Sequence, residues 1–254
     1  MLFRSNKPQL MNAVSDLLLV AAAAALLVAA VLWSARLPWF PLRDVVVSNE
    51  LREVRRAEVE RSLAGRLRGN FFSINLDNVR KSLEEIPWVR RAEVRRQWPS
   101  SLLVNVEEHV PVAFWGQATG QLVNSYGEIF TASMTIEPTA PMPFLYGPPG
   151  LSQDMLSYYQ KAEAMLKPLG RVPRALNISP RLAVQIRLDD GMVVELGRQQ
   201  QKAPVRDRLE RFVEYYPSVM SAAGRRPTVV DMRYPNGFAL RVAVASVNEN
   251  KGKP

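Results

Sequence analysis

The longest apolar run lies close to the start of the chain. Residues 17–35 read LLLVAAAAALLVAAVLWSA, nineteen residues without a charge. An α-helix needs roughly 20 such residues to cross the hydrocarbon core of a bilayer. Alanine partitions weakly, but six leucines and three valines make the run apolar enough. Trp33, Trp39 and Phe40 stand where interfacial aromatics are expected, and Pro38 and Pro41 stop the helix. The pattern predicts a membrane helix over residues 15–36. A cleaved signal peptide has a shorter apolar core, about 7–15 residues, and a small-x-small cleavage site. Here the core is longer, and Trp33 stands where a small residue would be needed if cleavage followed Ala35. The anchor reading is therefore preferred.

Beyond the anchor the apolar positions change period. Asp44-Val45-Val46-Val47 is a β-branched run and predicts a strand. Residues 53–67 predict a helix, with Val59, Leu63 and Leu67 four apart on one face. Gly69-Asn70 ends it, and Phe71, Phe72, Ile74 and Leu76 form an apolar bridge. Asp77 is placed to N-cap a second helix carrying Val79, Leu83 and Ile86, which Pro87 terminates. Residues 88–98 predict a strand, Pro99-Ser100 a turn, and Leu102, Val104 and Val106 alternate as in a second strand. The order β-α-α-β-β puts two helices on one face of a three-stranded sheet.

The remainder reads as a second, β-rich region. Residues 122–130 predict two short strands around Tyr126-Gly127, and the proline-rich stretch 138–150 reads as loop. Residues 152–169 predict a helix with Met155, Leu156, Tyr159, Ala162, Met165 and Leu166 on its apolar face. Asp189-Asp190-Gly191 between alternating segments predicts a hairpin. Residues 202–216 predict a helix stopped by Pro217. Residues 228–234 and 238–244 predict two strands around a tight Pro235-Asn236-Gly237 turn. The last strand is a candidate sheet edge, able to accept a partner strand. Residues 246–254 read as a polar tail.

Charge narrows the partners without choosing one. The formal charge is +9, and arginines are dense in runs such as Arg55-Arg56, Arg90-Arg91 and Arg95-Arg96. Such a surface suits anionic lipid, an acidic protein or nucleic acid, and it is equally common as a solvated face. Nucleic-acid binding would want aromatics interleaved with the cations, and that pattern is missing here. The positive-inside count places more arginine after the helix than before it, but long domains translocate largely regardless of charge. Orientation stays open on these grounds.

Candidate chemistry is sparse. The chain has no cysteine and one histidine, His109. A lone histidine near a strand end reads as structural. Glu107 and Glu108 are adjacent in a strand, so they point to opposite faces and cannot act as a pair. Asp189-Asp190 are turn formers. No phosphate loop, nucleophile elbow or metal-ligand spacing stands out, so neither an enzyme nor a cofactor site is expected.

The string IPWVRRAEVRRQWPSSLLVNVEEHVPVAFW resembles the end of the POTRA domain of the FtsQ/DivIB family of bacterial cell-division proteins. Its carriers are Pro87-Trp88-Val89, Trp98-Pro99 and the segment from Glu108 through Pro111-Val112-Ala113 to Trp115, with Gly69-Asn70-Phe71-Phe72 upstream. The later region is similar in Leu196-Gly197-Arg198, Arg211-Phe212-Val213, Tyr216-Pro217 and Val230-Asp231-Met232-Arg233-Tyr234-Pro235-Asn236-Gly237. The resemblance covers nearly the whole chain.

The resemblance implies an α+β fold in a set order. That order is a cytoplasmic tail (1–14), a transmembrane helix (15–36), a POTRA domain (43–113), a mainly antiparallel β-domain with flanking helices (114–245) and a flexible tail (246–254). It implies a non-enzymatic scaffold of the septal machinery in the inner membrane, with both domains in the periplasm. The implied partners are the division proteins FtsB and FtsL, bound by the β-domain. Other division proteins at the POTRA domain and membrane lipid are further implied partners, and nucleic acid is not. The implied contacts are Tyr234, Asn236, Gly237 and Phe238 at the last strand, with Arg181 upstream of the Asp-Gly hairpin. The family often carries a late tryptophan in the final strand, and Val242 stands near that place. The alternative is a POTRA-type polypeptide-transport module, which would want tandem POTRA units and a barrel.

Overall fold

A computed structural model describes residues 8–34, 41–67, 69–118, 120–134, 141–222 and 227–242. Trp39, Phe40, Pro38 and the tail 246–254 lie outside them. Helix α1 runs Pro8–Ser34. Its segment Asn12–Ser34 is long and apolar enough to cross a membrane, and its side chains are exposed on all sides.

The chain then divides into two compact units between Glu108 and His109. In the first, β1 (Asp44–Val47), α2 (Arg56–Leu63), α3 (Leu76–Glu84), β2 (Val89–Gln97) and β3 (Ser101–Glu108) reproduce the β-α-α-β-β order. The sheet order is β1-β3-β2, with β1 parallel and β2 antiparallel to the central β3. The expected periodicity is the burial pattern. Val59, Leu63, Val79, Leu83 and Ile86 from the helices meet Ala92, Leu102, Val104 and Val106 from the sheet. Each valine, leucine or isoleucine side chain so removed from water contributes about 1.5–3 kcal/mol.

Two local expectations are corrected. Helix α2 stops at Leu63 rather than residue 67, because Gly65 turns the chain at φ 75°. The cap of α3 is Asn75, whose side chain accepts the Asn78 N–H at 3.1 Å, while Asp77 sits inside the first turn. Glu108 is not a partner for Glu107. Its carboxylate accepts the backbone N–H groups of Arg52, Glu53 and Val54 at 2.8–3.1 Å and fixes the β1–α2 loop. Glu107 instead pairs with Arg90 at 3.0 Å.

The second unit is one sheet with helices packed on its core face. Its strands are β4 (Pro111–Trp115), β5 (Gln121–Asn124), β6 (Ile129–Thr131), β7 (Phe144–Tyr146), β8 (Pro173–Ile178), β9 (Ala183–Leu188), β10 (Val193–Arg198), β11 (Pro227–Asp231) and β12 (Ala239–Val242). The helices are α4 (Ser152–Leu166) and α5 (Val205–Ala222). The nine strands run β12-β11-β10-β9-β8-β7-β4-β5-β6. Most pairings are antiparallel, while β7 pairs in parallel with β4 and β8, and β10 with β11. Strand β4 belongs to this sheet, so the expected boundary at residue 113 falls inside a strand. The core joins Leu145, Leu176, Ile186 and Val194 of the sheet to Met155, Leu166, Leu209 and Phe212 of the helices. Tyr159 of α4 donates to the Pro173 carbonyl at 3.1 Å, and its burial, with Glu163 nearby, pushes its pKa up to about 12.

The proline-rich stretch read as loop contains β7, and β8 follows α4 without a sequence signal. A three-residue strand is too short to show a period, and β7 exists because two long-range neighbours hold it. Pro217 does not stop α5. Proline removes one helical hydrogen bond, yet the helix continues because Tyr216 and Met220 on the same element pack against the core. His109 is structural, as read: it stacks on Phe130 with centroids 4.1 Å apart, and its Nδ1 lies 2.9 Å from the Asn124 amide.

The β5–β6 turn gives a direct test of this packing. Gly127 has φ 80°, and a Cβ there would lie 2.6 Å from the Gln153 Cα at the start of α4. Gly127→Ala is expected to destabilise the unit by about 2 kcal/mol or more, lowering its thermal midpoint by roughly 5 °C. A thermal melt followed by circular dichroism checks this.

Candidate protein-binding edge

Strand β12 ends the sheet, with β11 on one side and no strand on the other among the described residues. The register is Asp231↔Ala239, Val230↔Leu240 and Val229↔Arg241. One bond orients the backbone groups. The Met232 N–H donates to the Glu195 carbonyl on β10, so even-numbered residues of β11 face β10 and odd-numbered ones face β12. Ala239 and Arg241 therefore bond inward to β11. The N–H and C=O of Leu240 point to the open edge. The Leu240 side chain leans on the core, as does Phe238.

The turn expected at Pro235-Asn236 is present, but the long strand expected before it is corrected. Strand β11 ends at Asp231, and residues 232–238 form a wider loop. Arginine and aspartate hold that loop open. Arg211 on α5 donates to the carbonyls of Met232 at 3.2 Å, Tyr234 at 2.9 Å and Pro235. Asp231 accepts from the Arg233 N–H at 3.0 Å and from its guanidinium at 2.6 and 2.8 Å. The hydrogen-bonded Arg233 holds the Asp231 carboxyl below its ordinary range, and Asp231 raises Arg233 in turn.

The five residues singled out from the sequence fall as follows. Tyr234 is 55% exposed, so it is no core residue. Asn236 is exposed beside it. Phe238 is half-buried, 6.5 Å from the Tyr215 ring. Gly237 is not in the left-handed region, and a Cβ added to it would meet nothing within 4 Å, so neither backbone nor packing in this chain requires glycine there. Arg181, in the β8–β9 turn, lines the same depression as Arg233, which places it beside the residue preceding Tyr234. No residue of β12 lines that depression.

Sequence reasoning missed the supports. Arg208 is 2% exposed and donates to the carbonyls of Leu196, Arg198 at 2.9 Å and Ala203 at 2.6 Å, tying the β10–α5 loop to the helix. Burial, with Arg211 nearby, lowers its pKa. Arg211 and Gly197 stood inside the motifs that carried the resemblance, but nothing in spacing alone assigned them a task.

Comparison with known proteins fits this architecture. Residues 40–109 match the family model of the FtsQ-type POTRA domain, and residues 113–233 match that of the C-terminal part of cell division protein FtsQ/DivIB. The chain is 38% identical over 211 residues to the cell division protein FtsQ of Burkholderia pseudomallei (strain K96243), covering 83% of each. It is 35% identical over 269 aligned positions to that of Bordetella pertussis, covering 98% of each. To that of Nitrosospira multiformis it is 38% identical over 238, covering 92% of this chain and 97% of the relative. With both domain models matched in order and relatives aligned over most of their length, the chain belongs to the FtsQ/DivIB family of cell-division proteins.

Proposed function

We propose that the chain is a non-catalytic scaffold of the division machinery, which captures a strand of FtsB, with FtsL alongside, at the β12 edge. The observation that carries this reading is an edge strand with outward backbone groups, flanked by an exposed tyrosine on a braced loop. Main-chain hydrogen bonds would hold the added strand, and Tyr234 and Phe238 would supply apolar area. Asn236 and Gly237 would line its path, and Arg181 would meet a partner carboxylate. In this reading α1 spans the inner membrane at the septum, with residues 1–14 cytoplasmic. The POTRA domain and the β-domain then stand in the periplasm, where the POTRA domain meets other division proteins or lipid.

The test is binding of the full chain, in uncharged detergent, to the periplasmic segment of the organism's FtsB. Tyr234→Ala is expected to weaken binding by about tenfold or more, as truncation of a central aromatic anchor does, with an unchanged thermal melt. Unaltered affinity would move the interface elsewhere, and no binding by the wild type would remove the scaffold reading.

A further inference from the structure

A depression of about 350 Å³ opens among the β8–β9 turn, the end of β10 and the start of α5. It is lined by Arg181, Arg198, Arg208 and Arg233, together with Ser179 and Gln200, and among the described residues no carboxylate lines it. Arg233 is neutralised by Asp231 at 2.6 Å. No such partner accompanies Arg181, Arg198 or Arg208 among the described residues.

Arg208 makes the case strongest. Its side chain is buried, and its Nη groups meet carbonyl oxygens. Carbonyls satisfy donors but carry no net charge, so a buried cation is left without a counter-charge. Its Nε–H is buried with no hydrogen-bond partner among the described residues. The floor of the depression is Gly197, with φ 72° at a register shift in β10. A Cβ there would lie 2.9 Å from the Arg233 Cγ and 3.2 Å from the Arg208 Nη1. The missing side chain is what lets two arginines from separate elements converge.

We infer that this depression binds a dianionic oxyanion of the phosphate class. Guanidinium groups match such oxygens in paired hydrogen bonds. Three uncompensated cations exceed what one carboxylate neutralises, and a dianion balances them more closely. The Ser179 hydroxyl accepts the Ala183 N–H at 3.1 Å and keeps its own proton to donate. The phosphate can be free or the headgroup of a lipid, and both offer the same oxygens.

The experiment titrates the full chain, in uncharged detergent at constant ionic strength and slightly alkaline pH, with inorganic phosphate against chloride. Calorimetry is expected to show saturable one-to-one binding below about 10 mM, with a rise in thermal midpoint. The double substitution Arg181→Gln/Arg198→Gln, both exposed, is expected to weaken it at least about tenfold. Arg206→Gln, on the same helix but outside the depression, leaves it unchanged. A parallel titration with monomeric short-chain phosphatidic acid separates the sources, tighter binding assigning the lipid headgroup and equal binding free phosphate. No saturation by about 10 mM, or saturation undiminished in the double variant, overturns the inference. Arg181 is shared with the proposed partner contact, but no partner strand enters the measurement, so this site and the edge can fail separately.

Discussion

Leu240→Pro is expected to abolish capture of a partner strand while leaving the sheet folded, whereas Leu240→Ala weakens capture only a few-fold. The asymmetry follows from which way the backbone points. Leu240 presents its N–H to the open edge, and Ala239 and Arg241 spend theirs on β11. Proline is tolerated on the solvent side of an edge strand, because no ladder bond inside the sheet is lost. An added strand would find no donor opposite its carbonyl, which costs about 1–3 kcal/mol, and would also meet the ring. Together these give a loss of about a hundredfold or more. The alanine variant keeps the donor and controls for the half-buried leucyl side chain. Ala239→Pro does the reverse and is expected to unpair β12 from β11, because that N–H bonds inward. Titration of the FtsB segment against each variant, with melts alongside, is the measurement. Wild-type affinity in Leu240→Pro would exclude strand addition at this edge.

Arg208→Met is expected to lower the stability of the second unit by about 3–5 kcal/mol. Methionine keeps much of the shape but leaves the carbonyls of Leu196, Arg198 and Ala203 without their donor. The stripped acceptors, buried at Leu196 and part-buried at Arg198 and Ala203, cost up to about 1–3 kcal/mol each, and removal of an uncompensated buried charge returns part of that. A fall of about 10 °C in the thermal midpoint is the readout. A change below about 1 kcal/mol would mean that the β10–α5 loop stands without this arginine.

Much of the architecture was legible because it rests on period. Val79, Leu83 and Ile86 announce one helix face, and Leu102, Val104 and Val106 one sheet face, since a side chain's direction follows from local geometry alone. The Asp189-Asp190-Gly191 hairpin is local too. Gly191 takes φ 85°, and Asp190 accepts the Met192 N–H at 3.0 Å. The elements misread were those whose local signal loses to distant contacts. Strand β7 is three residues among prolines, and α5 passes through Pro217 because its later turns pack on the core. The loop after Asp231 carries a hairpin signature, yet Arg211, from a helix well upstream in sequence, claims its carbonyls and widens it.

By itself, the sequence determined the membrane-length helix, the β-α-α-β-β order and the presence of a late strand pair, because these depend on residues near in the chain. Only the tertiary structure decided that β12 is the sheet's edge and that Leu240, rather than Ala239, offers its backbone outward. It alone brought Arg181, Arg198, Arg208 and Arg233 around Gly197. Strand order, hydrogen-bond parity and the convergence of like charges are set by pairings between residues far apart in the chain, which no local pattern encodes.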